Sequence, residues 1–305
     1  MRPEPTAEVD GSPTRFESAV SGPSIVMVAN SARKKLRASL DRGDVIVAPG
    51  AYDGLGARVV EALGFPAVYV GGFASAAHLG IQEPQLTLGQ SVEVARTVAA
   101  AAEIPVICDG GAGYGDHRAI RRCVEMFEDA GVAAIHLEDE IYPKPAVYQP
   151  GEEEILPLDV FLSNIECALQ ARRDPDFLII GRTDAFDARG GGHDELVRRA
   201  LALKRAGVDA IVGKGVALRG DLSSFRRSVP DIPMLTWAGK HDISVQEYAE
   251  LGYQIIAFAL APITTTAEAL WDNYQALLDT GRLAVTPERL LLQRQLVFRL
   301  VGLAE

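Results

Sequence analysis

The chain has little of what would direct it to nucleic acid, a membrane or an oxidising compartment. Lys and Arg number 30 against 41 Asp and Glu, a formal net charge of -11 at pH 7. Nucleic acids and anionic bilayers are held by basic patches, so neither is expected as a partner. The 305 residues include three cysteines, Cys108, Cys123 and Cys167, whose wide spacing gives no disulfide framework and no zinc pattern. A cytoplasmic setting is the simplest expectation from that usage. No apolar run approaches the roughly 20 residues that a bilayer span needs. The one apolar piece near the start, Ile25-Val26-Met27-Val28-Ala29, is too short for a signal core and lacks a basic flank.

What is present is a regular alternation. Hydrophobic residues make up 48% of the chain, enough for one large core. Residues 1–28, rich in Pro, Ser, Thr and acids, are expected to be a disordered extension, and Ser31 to Arg42 reads as a basic amphipathic helix. Eight short β-type runs follow: Val45–Val47, Ala67–Val70, Val106–Cys108, Ala134–Leu137, Phe177–Ile180, Ala210–Val212, Pro233–Thr236 and Ile255–Phe258. Helical stretches between them end in a recurrent phrase with Gly64, Gly131, Gly207 or Gly252, a helix C-cap leading into the next strand. Eight βα units over about 240 residues predict a (β/α)8 TIM-type barrel across residues 29–285. An open doubly wound sheet is the alternative, but the first βα loop carries no dinucleotide fingerprint. Thr286-Pro287 then starts a C-terminal helix over 286–305, apolar around much of its circumference, which must be buried under its own barrel or on a neighbouring subunit.

In such a barrel the active site lies at the carboxyl ends of the strands. The third run ends in Asp109-Gly110-Gly111-Ala112-Gly113-Tyr114-Gly115, a carboxylate followed by glycine-rich backbone, and the fourth ends in Glu138-Asp139-Glu140. Two consecutive strands ending in acids suggest a cation held between them. Other strand ends offer Tyr52-Asp53, Gly71-Gly72-Phe73 with Glu83 beyond, Lys144, Arg182-Thr183-Asp184, Lys214, Trp237, Lys240 and His241. Acids on one side and cations opposite suit a divalent ion with an anionic, oxygen-rich substrate. Carboxylate ligands favour magnesium, with manganese as its substitute, over zinc. Duller readings stand beside these. Asp53 caps the helix that begins there, His136 is a satisfied core residue or supports the site from behind, His193 is on the surface, and Lys144 divides evenly between surface and site.

Taken together, these strand ends are similar to those of the isocitrate lyase/phosphoenolpyruvate mutase superfamily. The resemblance runs from about Pro49 to Leu278. It rests on Val68-Tyr69-Val70-Gly71-Gly72, Asp109 to Gly115, His136-Leu137-Glu138-Asp139, Pro143-Lys144, and Asp174 to Phe177 through Gly181-Arg182-Thr183-Asp184. It implies that Asp109 binds magnesium directly, with Glu83 and Glu138 reaching the ion. Tyr69, Gly71, Gly72 and Phe73 would line the substrate carboxylate, Arg182 would bind its oxyanions, and Lys144 would open a gating loop. Family enzymes act on 2-oxo or 2-hydroxy acids through an enolate, and they are typically tetramers that exchange the C-terminal helix.

The chain departs from that pattern in three places. Gly111 and Ala112 stand where the acidic turn usually has Asp and Thr. The loop Lys144-Pro145-Ala146-Val147-Tyr148-Gln149 lacks the lyases' Cys and His. Asp116-His117 and Lys144-Pro145-Ala146 replace the Asn-rich turn and Lys-Thr-Asn of the phosphonate mutases. Tyr148 and His241, with Lys240 and Lys214, are the replacement acid/base candidates. The expected activity is a magnesium-assisted carbon–carbon lyase or decarboxylase on a 2-oxo or 2-hydroxy acid. The alternatives are a phosphonopyruvate-type C–P hydrolase or mutase, and a member that binds a 2-oxo acid without turnover.

Overall fold

The computed structural model describes residues 25–144, 154–239 and 241–302. Its strands are β1 (Ile46–Pro49), β2 (Val68–Val70), β3 (Val106–Asp109), β4 (Ala134–Glu138), β5 (Leu178–Thr183), β6 (Ala210–Gly213), β7 (Met234–Trp237) and β8 (Ile255–Phe258). The helices are α1 (Ile25–Asp41), α2 (Gly54–Ala62), α3 (Gly72–His78), α4 (Leu88–Ala101), α5 (His117–Asp129), α6 (Leu158–Ala171), α7 (His193–Ala206), α8 (Arg219–Ser228), α9 (Val245–Glu250), α10 (Ala261–Thr280) and α11 (Pro287–Leu300).

All eight strands are parallel, and each of the eight predicted runs contributes one. The sheet runs from β2 through β8 to β1, and a Gly50–Tyr69 bridge brings its two edges together. The Ala51 N–H donates to Tyr69 O at 2.9 Å across the same seam. The result is the (β/α)8 barrel rather than the open sheet. Gly64, Gly131, Gly207 and Gly252 all turn through the left-handed region, at φ +83 to +90, as helix C-terminal glycines do.

Two apolar layers hold the barrel. Outward-facing strand residues such as Val106, Cys108, Ile135 and Ile179 pack on the helices, while Ile46, Ala48, Ile107, Ala134, Leu178, Ile180, Val212, Leu235 and Ile255 fill the interior. Leu36 and Leu40 of α1 close the interior from below. The helix begins at Ile25, six residues before Ser31, so residues 25–28 are helical rather than part of a disordered extension. Residues 1–24 lie outside the described residues. At the other end, α10 and α11 contain no buried residue. Among the described residues no helix is long and apolar enough to cross a membrane.

Candidate active site

Alternation along each strand decides which side chains enter the barrel. Tyr69 and Ile107 face the axis, and so therefore does Asp109, two places beyond Ile107. The same parity carries Ala134 to His136 and Glu138, Leu178 and Ile180 to Arg182, and Leu235 to Trp237. Strand register then sets the neighbours: Asp109 lies level with His136, and Glu138 with Arg182. The β3–β4 ladder continues past Asp109, because the Glu138 N–H donates to Gly111 O at 3.0 Å. That bond keeps the two acidic strand ends side by side.

The acids meet three cations at this mouth. Lys144 Nζ lies 2.6 Å from Glu138, 3.1 Å from Glu140 and 3.5 Å from Glu83. Lys144 is therefore a site residue, and the surface reading of it is set aside. Lys214 Nζ lies 2.7 Å from Glu140 and 3.0 Å from Asp184. Arg182 grips Asp184 with two hydrogen bonds of 2.8 Å from Nε and Nη2. Its remaining nitrogen, Nη1, reaches Glu138 at 2.6 Å and stands 3.7 Å from Asp109.

Burial works against the Asp109 charge, and His136, Arg182, Lys144 and the Gly111 N–H override it, holding the carboxyl at about 2. Burial pushes the His136 imidazole below its usual range, against the opposing pull of Asp109. Burial would strip the proton from Lys144, but Glu138, Glu83 and Glu140 reverse this and hold the ammonium well above its usual range. Glu140 is pushed up to about 7 by burial, a shared hydrogen bond with Asp184 and the nearby Glu138.

The donor set fits a divalent cation. Among the described residues, Glu138, Glu140 and Asp184 form a group of acids whose oxygens lie within 4.8 Å of one another, close enough to hold an ion together. A second convergence lies over Gly72, where an added Cβ would sit 3.0 Å from Asp109 Oδ2 and 3.1 Å from Glu83 Oε1. Both Glu138 oxygens are buried without a hydrogen bond of acceptable geometry, although Lys144 and Arg182 stand beside them. Asp184 and Glu140 are balanced by Arg182 and Lys214. Asp109, Glu138 and Glu83 are left with the Nη1 edge of Arg182 and with Lys144, which they share with Glu140, so five carboxyls meet three cations at the mouth.

The remaining predicted residues are distributed as follows. Tyr69 is buried in the wall, Gly71 caps α3, and the Gly72 N–H donates to Asp109 Oδ2 at 3.2 Å. Phe73 is half exposed. Asp53 does cap α2, accepting from the Gly56 N–H at 2.7 Å. His241 is exposed in the loop after β7. Tyr148 and Lys240 lie outside the described residues. Glu140 and Asp184 were not singled out from sequence, yet they complete the charge network. The signal that finds them is parity, since each lies two places beyond an inward-facing residue, Glu138 or Arg182.

Residues 36–278 match the profile of the phosphoenolpyruvate phosphomutase family. The chain belongs to that family. Within the wider phosphoenolpyruvate mutase/isocitrate lyase superfamily it is 35% identical to the 2,3-dimethylmalate lyase of Eubacterium barkeri over 248 residues, 80% of this chain and 85% of that one. It is 33% identical to an oxaloacetate decarboxylase of Rhodopseudomonas palustris over 250 residues, 81% of this chain and 85% of that one. A crystal structure of a phosphonopyruvate hydrolase with oxalate and Mg2+ is 26% identical and superposes with a TM-score of 0.78, covering 89% of this chain and 95% of that one. Against the family's usual acidic turn, Gly111 leaves an opening. Its φ is +53, and a Cβ there would meet only Tyr114, at 3.9 Å. The left-handed backbone at Gly111 suits glycine, whatever the room beside it.

Proposed function

We propose that the protein is a carbon–carbon lyase, assisted by a divalent ion, that acts on a 2-oxo or 2-hydroxy carboxylic acid. The observation that carries this reading is the excess of carboxyls over cations at the mouth, where Asp109, Glu138 and the partly exposed Glu83 share Lys144 and the Nη1 edge of Arg182. The names of the relatives, a dimethylmalate lyase and an oxaloacetate decarboxylase, support the reaction class. Asp109, Glu138 and Glu83 hold the ion, magnesium or its substitute manganese, as oxygen-only ligands favour. When bound, the ion supplies positive charge against the oxygen on which charge develops as the bond breaks.

The chain's own residues do the rest. Asp184 holds two nitrogens of Arg182, so Nη1, 2.6 Å from Glu138, is the edge a substrate oxyanion would share with that acid. Tyr69, Gly71, Gly72 and Phe73 form the wall on the β2 side. Lys144 adds a second positive charge at the mouth. The proton for the departing fragment comes from Tyr148 or His241, and Tyr148→Phe and His241→Gln tell the two apart.

A substrate panel tests the proposal. The expected result is magnesium-dependent cleavage of a branched malate, a 2-methylisocitrate-type acid or oxaloacetate. Turnover that survives chelation of all metal would overturn the metal assignment. The structural match to a phosphonopyruvate hydrolase favours C–P hydrolysis as a second reading, and release of phosphate from phosphonopyruvate would select it. Tight oxalate binding with no turnover of any acid would instead mark a binding protein.

We also propose a cytoplasmic homotetramer that exchanges its C-terminal helices. α10 and α11 leave Trp271 71% and Leu278 80% exposed, along with Leu270, Tyr274, Leu291 and Leu292. A face of that kind needs a partner. Light scattering that gives a monomer mass would overturn the tetramer.

A further inference from the structure

Three aromatic side chains under the acids make an ordered chain of donors. Trp237 Nε1 lies 3.0 Å from Tyr69 Oη, and an indole N–H can only donate. Tyr69 Oη is therefore an acceptor towards Trp237, and its own proton is free to go elsewhere. Among the described residues the other atom at hydrogen-bonding distance is His136 Nε2, at 2.7 Å. The phenol donates to it, so Nε2 carries no proton. A neutral imidazole must then carry its proton on Nδ1. That nitrogen is buried without a hydrogen-bond partner and lies 3.6 Å from Asp109 Oδ1.

The protons thus run one way across the barrel, from β7 through β2 and β4 to Asp109 at the end of β3. Packing holds each member in place. The Tyr69 and His136 rings stack at 5.9 Å and 12°, and His136 meets Trp237 edge-on at 5.7 Å. The Arg182 guanidinium covers the other part of Trp237, 5.2 Å from the ring centre. At the far end, Asp109 Oδ1 takes the Gly111 N–H at 2.8 Å and faces His136, while Oδ2 faces Gly72 and Arg182. The Gly111 N–H on Oδ1 and the Gly72 N–H on Oδ2 fix the carboxylate's rotation, and the His136 Nδ1–H, 3.6 Å away, adds a longer dipolar contact on the Oδ1 side.

We propose that Trp237, Tyr69 and His136 form a one-way donor relay that locks His136 as its Nδ1–H tautomer and aims Asp109 at the mouth. All three are positioning residues for Asp109. The consequence for ion binding rests on the metal reading above, whereas the tautomer stands independently of it. The relay explains why a tryptophan, a buried tyrosine and a buried histidine from three separate strands converge beneath one carboxylate. It also gives the buried hydroxyl of Tyr69 and the buried imidazole of His136 a task that apolar residues could not perform.

The experiment uses the full chain, free of metal and labelled with 15N. Long-range 1H–15N spectra should show one histidine with a protonated δ nitrogen and an unprotonated ε nitrogen, and that signal should change in Tyr69→Phe. Phe keeps the ring and removes the donor to Nε2 together with the acceptor of the Trp237 N–H. In the same variant Mn2+ affinity, read by electron paramagnetic resonance of the free ion, should fall about tenfold, as for other lost supports of metal ligands. Trp237→Phe lets the Tyr69 hydroxyl turn either way and should give a mixed tautomer with a smaller loss of affinity. An Nε2–H tautomer in the wild type overturns the relay. So does a Tyr69→Phe protein that is merely less heat-stable, with its histidine signals and Mn2+ affinity unchanged. A wild-type protein that binds no Mn2+ overturns the metal reading instead, and the tautomer alone then decides the relay.

Discussion

The two acid groups at the barrel mouth carry similar charge and differ in what answers it. On the β5–β6 side, Asp184 is held by two nitrogens of Arg182, and Lys214 spans Asp184 and Glu140. On the β2–β4 side, Asp109, Glu138 and Glu83 share Lys144 and the single Nη1 edge of Arg182. An acid whose counter-charge is built into the chain orients that counter-charge and supports the fold. An acid without one is left for a ligand to neutralise. The difference teaches that carboxylates crowded at one mouth need not share a task, and that the placement of cations tells them apart.

The sharpest way to break this comparison is to neutralise one acid from each side. Asp109→Asn should lower turnover of the panel substrate at least about a thousandfold, in line with losing a group that stabilises the transition state. Glu140→Gln should leave Mn2+ affinity within about threefold, because that acid already has its cation. Equal losses of Mn2+ affinity in the two variants would erase the distinction.

Next in size, Asp184→Ala strands the buried charges of Arg182 and Lys214. It should cost about 3–5 kcal/mol in urea unfolding, the usual result of removing one partner from a buried pair. Asp109→Asn should cost far less, since no fixed cation depends on it to the same degree.

The metal-free protein should also lose stability as pH rises. Asp139 is pushed up to about 6 by burial and by Asp184, and Glu140 to about 7. In the unfolded chain such acids titrate near 4. Between about pH 4 and pH 7 the folded state therefore holds more protons, so its stability falls with rising pH. The expected drop from pH 5 to pH 8 is about 4 kcal/mol by urea titration, and Glu140→Gln should flatten more than half of it. Stability that rises across this range would contradict the burial of these two groups.

The smallest effect belongs to Lys144. Lys144→Gln removes the ammonium that shares the cage with the ion and should tighten Mn2+ binding about threefold. Weaker binding would show that Lys144 organises the carboxylates rather than competing for them.

Much of the site was legible because it follows from strand ends. Asp109, Glu138 and Arg182 each end an apolar run, so the eight runs alone locate them. His136 read equally well as core or as support, since its role depends on Tyr69 and Trp237, 67 and 101 positions away in the chain. Lys144 could not be placed, because its distances to Glu83 and Glu138 are set by loop closure rather than by spacing. Ile25 to Ala29 resembled a stray apolar piece, but it forms the first turns of α1. Helix propensity is too weak over so few residues to announce a boundary that tertiary packing decides.

The sequence by itself determined the alternation. Apolar runs of strand length, glycine-capped helices and acids at run ends specify a parallel barrel and place its polar groups at one rim. These are local properties, written in neighbouring residues. Tertiary structure alone decided which acids are answered and which are not. Barrel closure brings Lys144, Arg182 and Lys214 to particular carboxylates from different strands, and buried charges interact strongly only with the neighbours that the fold puts within a few ångströms.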